Sequence, residues 1–170
     1  MITLWKSQPN SLNDGLNILR YCEEDPVTVN PKAEPNVKQA VPFFGVRDID
    51  VSLRYYIDGL GFEMKNRWVH EGKLRWCWLR QGGASLMLQE FWKEGPHVGA
   101  PEGKLGQGVT VCFQCVDAVA IYRSLISRGI QAKRPFVGNA MWVTTLVDPD
   151  GYRLEFESPT DVPEETVFSE

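Results

Sequence analysis

Glu155 is the residue of this sequence whose position most strongly suggests chemistry. From Tyr152 to Glu157 large apolar and charged side chains alternate, which predicts a strand with two unlike faces. If the face that carries Leu154 packs under a helix, Glu155 lies in mid-strand on the other face. A carboxylate held there costs free energy unless a cation, a metal or a hydrogen-bond network meets it. The partner of Glu155 is therefore the main functional question.

A tight turn is predicted immediately before this strand, at Asp148-Pro149-Asp150-Gly151. The aspartates can accept hydrogen bonds from their own backbone, the proline presets φ, and Gly151 can adopt a positive φ. We expect this turn to mark the fold rather than the chemistry.

The cysteines and histidines do not predict a zinc site. Cys112 and Cys115 have C-x-x-C spacing, but they lie in an alternating apolar run, in which residues three apart point to opposite faces. No second C-x-x-C or C-x-x-H follows. His70 lies beside a predicted turn and His97 in a Gly/Pro-rich linker, and we interpret both as solvated. Structural, reduced thiols are predicted for the four cysteines Cys22, Cys77, Cys112 and Cys115.

Composition bounds the class of protein. The chain has 170 residues, 43% hydrophobic and 24% charged, with a formal net charge of −4, which is typical of a soluble globular protein. An acidic balance argues against nucleic-acid binding. No apolar run approaches the roughly 20 residues of a membrane span, and the N-terminus lacks the pattern of a secretion signal. We therefore predict a cytoplasmic protein with no membrane or nucleic-acid partner.

Two similar units follow a dissimilar start. Residues 1–38 are rich in Pro and Asn and predict an N-terminal extension or arm, residues 39–160 a domain, and residues 161–170 a C-terminal tail. The first unit covers about residues 41–92, and its strands are predicted at 41–46, 62–70, 73–81 and 84–92. A helix is predicted between the first two strands, with Asp48 or Asp50 as its N-cap and with Gly59 and Gly61 at its end. The second unit covers about residues 107–158, and its strands are predicted at 107–115, 131–137, 141–147 and 152–158. Its helix is predicted to begin at the N-cap Asp117 and to end at Gly129.

The two units align with each other around their helices. Val46-x-Asp48-Ile49 in the first corresponds to Cys115-x-Asp117-Ala118 in the second, and Leu60-Gly61-Phe62 ends the first helix where Gly129-Ile130 ends the second. A repeat of this length indicates a duplication. The predicted fold class is α+β, with tandem βαβββ units.

Two motifs give the chain a resemblance to a known family. V-x-D-I-x-x-S-x-x-Y-Y-x-x-x-L-G-F at 46–62 and D-P-D-G-Y-x-L-E-F at 148–156 resemble those of the vicinal oxygen chelate superfamily, which includes glyoxalase I, extradiol dioxygenases, fosfomycin-resistance enzymes and bleomycin-resistance proteins. The resemblance covers about residues 40–160. It implies glyoxalase-like curved mixed sheets that enclose a cavity.

The resemblance also implies where a metal would be held. The positions that match the family's ligands are Val41, Met87, Thr110 and Glu155, and Glu155 alone keeps the ligand type. One carboxylate cannot hold a transition metal tightly, so we predict no metal and no cofactor. Two interpretations of Glu155 stay open: a structural carboxylate paired with an Arg or a hydroxyl such as that of Thr110, or a direct contact to a ligand.

Large aromatic side chains dominate the strands that would line the cavity. Trp76 and Trp78 share one face of their strand, and the alternation leaves open whether that face is the concave one. Such rings suit a planar aromatic or cationic molecule, and they equally suit a core between sheet and helices. The candidate ligand-binding residues are Phe43, Trp76, Trp78, Met87, Gln89, Phe91, Thr110, Trp142 and Glu155.

Three functions are compatible with this pattern. The metal-free bleomycin-resistance type is the most similar subgroup, and it implies a homodimer that sequesters an aromatic or cationic small molecule without chemistry. A lyase, isomerase or dioxygenase that uses Glu155 as general base is the second hypothesis, but no matched acid/base pair is visible, so the pattern favours a non-enzyme. The third is a dimerisation or interaction module that binds a partner through the N-terminal arm.

Overall fold

The computed structural model describes residues 36–94 and 99–170. The predictions for the N-terminal extension fall almost wholly outside these residues, and so does His97. Residues from Gln39 to Glu170 form one compact unit.

Each predicted unit folds into a four-stranded sheet with one helix. The first consists of β1 (Phe43–Val46), α1 (Ile49–Leu53) continued by a π-helical segment (Arg54–Gly59), β2 (Glu63–His70), β3 (Lys73–Gln81) and β4 (Ala84–Glu90). The second consists of β5 (Thr110–Gln114), α2 (Ala118–Ser127), β6 (Phe136–Gly138), β7 (Met141–Val147) and β8 (Arg153–Pro159).

The two sheets have the same topology. The strand order is β1-β4-β3-β2 in the first sheet and β5-β8-β7-β6 in the second. In each, the first strand pairs in parallel with the last, and the other neighbours are antiparallel. The predicted duplication and the α+β fold of tandem βαβββ units are confirmed.

Aspartates begin both helices, as the sequence predicts. Asp48 Oδ1 accepts hydrogen bonds from the backbone N–H groups of Asp50 and Val51, both at 3.0 Å. The N-cap of the first helix is therefore Asp48 rather than Asp50. Asp117 Oδ1 accepts from Ala120 N at 2.8 Å. These caps satisfy backbone donors that the first turn of a helix leaves free.

Two strand predictions are wrong in their bounds. The predicted strand 131–137 is an irregular segment followed by the short β6. Within the irregular segment, Lys133 N donates to Thr145 O at 2.8 Å. Pro135 has no N–H to extend the ladder through this segment. β5 begins at Thr110 rather than at residue 107, because Gly108 adopts a φ of 78° that breaks the extended backbone.

The turn at 148–151 joins the two units. Asp148 Oδ1 accepts from the N–H groups of Asp150, Gly151 and Tyr152 at 2.8–3.0 Å. Asp148 Oδ2 accepts from the hydroxyl of Tyr56, a fully buried residue of the first unit, at 2.8 Å. Burial raises the pKa of the Asp148 carboxyl, whereas the hydrogen bonds lower it. The predicted turn is confirmed, and it also anchors the first helix to the second sheet.

The C-terminal segment covers the outer edge of β6. Val137 N donates to Thr166 O, and Phe168 N donates to Pro135 O, both at 2.8 Å. An edge strand protected in this way is not free to pair with another chain. Among the described residues, no helix is both long enough and apolar enough to cross a membrane.

Candidate functional site

The first sheet has one buried face and one open face. Phe44, Cys77 and Leu88 are buried in the core beneath the helix. The register places Phe43 beside Met87 and Met87 beside Trp78, on the opposite face. Phe43 is 55% exposed there. Because Trp78 and Trp76 lie two residues apart on β3, both tryptophans belong to the open face, which answers the question that the sequence leaves open.

A second row of this face contains Gly45, Gln89 and Trp76 side by side. The ring of Phe91 lies over Gly45: a Cβ at this glycine would be 2.4 Å from Phe91 Cζ. A glycine inside a strand is typical of such a close approach. We call the set Phe43, Trp76, Trp78, Met87, Gln89 and Phe91 the aromatic face.

A cavity of about 410 Å³ opens at one end of the aromatic face. Its volume is within the range of small-molecule sites. Its lining residues are Phe43, Gly45, Gln89, Glu90, Phe91 and Trp92. Phe43, Gln89 and Phe91 were predicted from the sequence. Gly45, Glu90 and Trp92 were not predicted. Gly45 could have been, because a glycine within an apolar strand is typical of a site where another group approaches the backbone closely.

Glu90 follows Gln89 on β4, so its carboxylate lies on the helix-covered face of the sheet, where basic side chains surround it. Glu90 Oε1 lies 3.2 Å from Arg75 NH1 and 3.6 Å from Lys93 Nζ. Glu90 Oε2 accepts from Ile49 N at 3.3 Å, at the start of α1. The Arg75 guanidinium carbon lies 5.1 Å from the centroid of the Trp92 ring, within the range of a cation–π interaction.

Further aromatic rings pack around Trp92. The ring centroid of Trp92 is 6.2 Å from that of Trp68 and 5.6 Å from that of His70. Trp68 is 45% exposed. His70, interpreted from the sequence as a solvated turn residue, is therefore half-exposed but packs within an aromatic cluster.

Glu155 lies on the open face of the second sheet, where an arginine meets it. Glu155 Oε1 accepts from Arg153 Nε at 2.9 Å and from Arg153 NH2 at 2.5 Å. Thr145 Oγ1 donates to the same oxygen at 3.2 Å. The partner of Glu155 is thus an arginine two residues earlier on its own strand. The hydroxyl that donates to Glu155 belongs to Thr145. Thr110, which the sequence suggested for this contact, lies beside Arg153 in the register instead.

Two further groups surround Glu155 on the open face. Cys112 lies beside it in the register, with Sγ 3.9 Å from Glu155 Oε2. Gln114 Nε2 donates to Glu157 Oε2 at 2.7 Å. Cys112, Glu155 and Glu157 place their donor atoms within 4.8 Å of one another. Partial burial and the two carboxylates raise the pKa of the Cys112 thiol to about 11.

Trp142 was predicted among the ligand-binding residues, but the structure places it on the opposite face of the second sheet from Glu155. It pairs with the buried Ser158 on β8, and its ring centroid is 6.2 Å from that of Phe168 in the C-terminal segment. Trp142 precedes Thr145 by three residues, so the two side chains point to opposite faces. We therefore assign Trp142 to packing.

Comparison with protein families decides the identity of the fold. Residues 38–156 match the family described as the glyoxalase/bleomycin resistance protein/dioxygenase superfamily. The chain belongs to this superfamily. A search of curated proteins finds no match.

Solved structures of the superfamily's fold are similar to this chain. A bleomycin resistance determinant encoded on the transposon Tn5 is 25% identical, with a TM-score of 0.55 over 74% of this chain and 100% of that one. TnmS3, an antibiotic-binding protein from Streptomyces sp. CB03234, is 18% identical, with a TM-score of 0.54 over 75% and 100%. A glyoxalase/bleomycin resistance protein/dioxygenase from Nocardioides is 17% identical, with a TM-score of 0.57 over 78% and 91%.

The residues at the superfamily's metal positions do not fit a tightly bound transition metal. Of the four predicted positions, Val41, Met87 and Thr110 offer neither a carboxylate nor an imidazole. The residues that lie beside Met87 and Glu155 in the sheets are Phe43 and Cys112. In the second sheet the carboxylate is already bound by Arg153, and its thiol neighbour is held in the protonated form. A metal would need several deprotonated donors that are not engaged elsewhere.

The raised pKa of Cys112 gives a pH-dependent prediction. Only the thiolate reacts with iodoacetamide, so a pKa of about 11 keeps the reactive fraction small at pH 8. Allowing for the greater nucleophilicity of a more basic thiolate, we expect Cys112 to react roughly 20-fold more slowly than an unperturbed thiol at this pH.

Site-resolved mass spectrometry over a range of pH measures this rate. The rate should rise with pH up to about 11, because deprotonation increases the thiolate fraction. Glu157→Gln should speed the reaction at pH 8, since it removes a negative charge that opposes ionisation. A rate at Cys112 equal to that of a free cysteine, unchanged in Glu157→Gln, would show that the carboxylates do not act on the thiol.

Proposed function

We propose that this protein is a metal-free binding protein of the bleomycin-resistance type, which sequesters a small aromatic molecule on the aromatic face of its first sheet. The observation that supports the proposal is the cavity of about 410 Å³ bounded by Phe43, Phe91 and Trp92. Flat rings that remain partly exposed in a folded protein offer stacking surface to a ligand.

Gln89 supplies a polar group in this apolar setting. It lies between Gly45 and Trp76 and lines the cavity. Across residues 36–94 and 99–170, its side-chain amide has no hydrogen-bond partner in the protein. A small number of polar groups in an apolar cavity is typical of sites that orient a ligand.

Two relatives support this class of function. One is named for bleomycin resistance and the other for antibiotic binding. By the same resemblance we propose a homodimer in which the open faces of the two sheets come together from different subunits. A cytoplasmic location stays a prediction from the sequence, and so does the absence of nucleic-acid and membrane partners.

The enzymatic alternative has less support. A general base needs an oxygen free to face the substrate, yet Arg153 Nε, Arg153 NH2 and Thr145 Oγ1 all donate to Glu155 Oε1, and Cys112 Sγ lies 3.9 Å from Oε2. The interaction-module alternative depends on residues 1–38, almost all of which lie outside the described part of the chain.

Equilibrium dialysis of chelator-treated protein tests the proposal. We expect phenanthridine, a planar tricyclic probe, to bind with a dissociation constant in the micromolar range, typical of stacking without further optimised contacts. Zinc or nickel added afterwards should not change this affinity. Binding that appears only with a transition metal, or purified protein that carries a stoichiometric one, would overturn the metal-free function.

A further inference from the structure

We propose that Gly45 is a positioning residue of the ligand site: because it has no side chain, the ring of Phe91 lies against strand β1 and offers its outer face to a planar ligand. This inference rests on the proposed binding function and assigns one of its stacking surfaces. It also explains why a glycine occupies an open-face position in a strand of otherwise apolar residues.

The contact between these two residues carries the argument. The ring atoms Cζ, Cε1 and Cε2 of Phe91 lie 2.4, 2.8 and 3.1 Å from the point that a Cβ of Gly45 would occupy. All three atoms belong to the far end of the ring, so this end fills the space in which any other side chain at Gly45 would begin. Both residues line the cavity of about 410 Å³, so the ring rests on the strand and faces the cavity.

The backbone on both sides of this contact is held in place. Gly45 pairs with Gln89 on β4, and Gly45 O accepts a hydrogen bond from the hydroxyl of Tyr152 at 3.0 Å. Phe91 N donates to Val46 O at 2.9 Å, which fixes the start of the Phe91 side chain. A substitution that adds a Cβ to Gly45 must therefore displace the ring, because the side-chain torsions of Phe91 are the freedom that remains.

The ring of Phe91 extends a row of aromatic side chains along β1. Phe43 and Gly45 are two residues apart on one face of the strand, which separates their positions by about 7 Å. Phe43 fills the first position with its own ring, and Phe91 fills the second. Aromatic rings pair well in offset stacks, so this row favours a flat aromatic ligand. The glycine thus adds a stacking surface that β1 does not itself provide.

Phenanthridine binding to two single variants and to their double variant tests this role. In equilibrium dialysis we expect Gly45→Ala to raise the dissociation constant about tenfold and Phe91→Ala to do the same, the scale of one lost stacking contact. The double variant should bind as Phe91→Ala does, within about twofold, because Gly45→Ala then has no ring to displace. Gly45 lies in extended backbone that alanine also adopts, so we expect Gly45→Ala to fold.

The NMR spectrum of bound phenanthridine supplies a signature of the stack. Its proton signals should shift upfield on binding, because the ring current of an aromatic side chain shields protons that lie above its face. Part of this shift should be lost both in Gly45→Ala and in Phe91→Leu, which keeps an apolar side chain without a flat face. Phe91→Leu keeps the test decisive even if Gly45→Ala does not fold: wild-type affinity and an unchanged shift in this variant would overturn the inference.

A glycine of the second sheet provides the matched control. A Cβ at Gly138 on β6 would lie 3.0 Å from Cε2 of Phe136, outside the cavity. Gly138→Ala should leave both the dissociation constant and the upfield shift unchanged, and urea unfolding shows that each variant is folded. A loss of affinity in Gly138→Ala as large as that in Gly45→Ala would mean that the effect does not come from the cavity, and the inference would fail.

The possible failures are distinguishable. If phenanthridine does not bind the wild-type protein, the binding function fails and the positioning role fails with it. If phenanthridine binds Gly45→Ala as tightly as the wild type, the positioning role is overturned and the binding function stands. The same conclusion follows if Gly45→Ala weakens binding equally with and without the ring of Phe91.

Discussion

Replacing Asp148 with alanine is expected to lower the free energy of unfolding by about 3 to 4 kcal/mol, because buried donors lose their acceptor. The carboxylate of Asp148 accepts four hydrogen bonds. Three come from the backbone of the turn, and the fourth comes from the hydroxyl of the fully buried Tyr56. An alanine at this position would leave the turn and the tyrosine hydroxyl without a partner and would weaken the link between the two units.

Urea unfolding at pH 7 measures this effect. Asp148→Asn keeps an oxygen for the backbone donors, so it should cost only about 1 kcal/mol. Pro149→Ala is the control on the same turn: Pro149 is exposed, and its replacement should cost well under 1 kcal/mol. An Asp148→Ala protein as stable as Pro149→Ala would contradict the role assigned to this carboxylate.

Replacing Phe43 with alanine is expected to weaken the binding of phenanthridine about tenfold, equivalent to about 1.4 kcal/mol, the scale of one aromatic stacking contact. Phe43 lines the cavity and is 55% exposed, so its ring contributes little to the core and is available to a ligand. The effect on affinity should therefore appear without a large loss of stability.

Phe136→Ala provides the matched control for this variant. Phe136 is a 37% exposed phenylalanine on β6 of the second sheet, outside the cavity. Its loss should leave the dissociation constant for phenanthridine unchanged within twofold. Equal effects of the two substitutions would indicate that the loss of affinity is not specific to the aromatic face.

Much of the fold could be predicted because local physics and tertiary structure agree. The Asp148–Gly151 turn has residues suited to each of its backbone conformations, and the structure adds a buried tyrosine to the same carboxylate. Asp117 caps its helix as predicted. Where Pro135 interrupts the ladder, a tertiary contact from Lys133 decides the course of the chain, and the strand prediction was wrong.

The candidate site could be predicted only in part. Alternation correctly places Phe43, Met87 and Gln89 on one face, because a strand has a strict period of two. It could not identify Arg153 as the partner of Glu155, since that contact depends on how a long side chain folds back along its own strand. Trp142 was also predicted to line the pocket, because its strand occupies the matching place in the second unit. That prediction did not consider that Trp142 and Thr145, three residues apart on β7, lie on opposite faces of the sheet.

The position of the ligand is the central claim, and the six tryptophans test it directly. Indole N–H signals in a ¹⁵N NMR spectrum of chelator-treated protein, assigned through single Trp→Phe variants, would be followed during titration with phenanthridine. Binding in the cavity predicts that the signals of Trp92, which lines it, and of Trp76, which lies beside Gln89, shift, while that of Trp142, packed against Phe168 away from this face, stays in place. A shift of the Trp142 signal with Trp92 and Trp76 unmoved would contradict the proposed site.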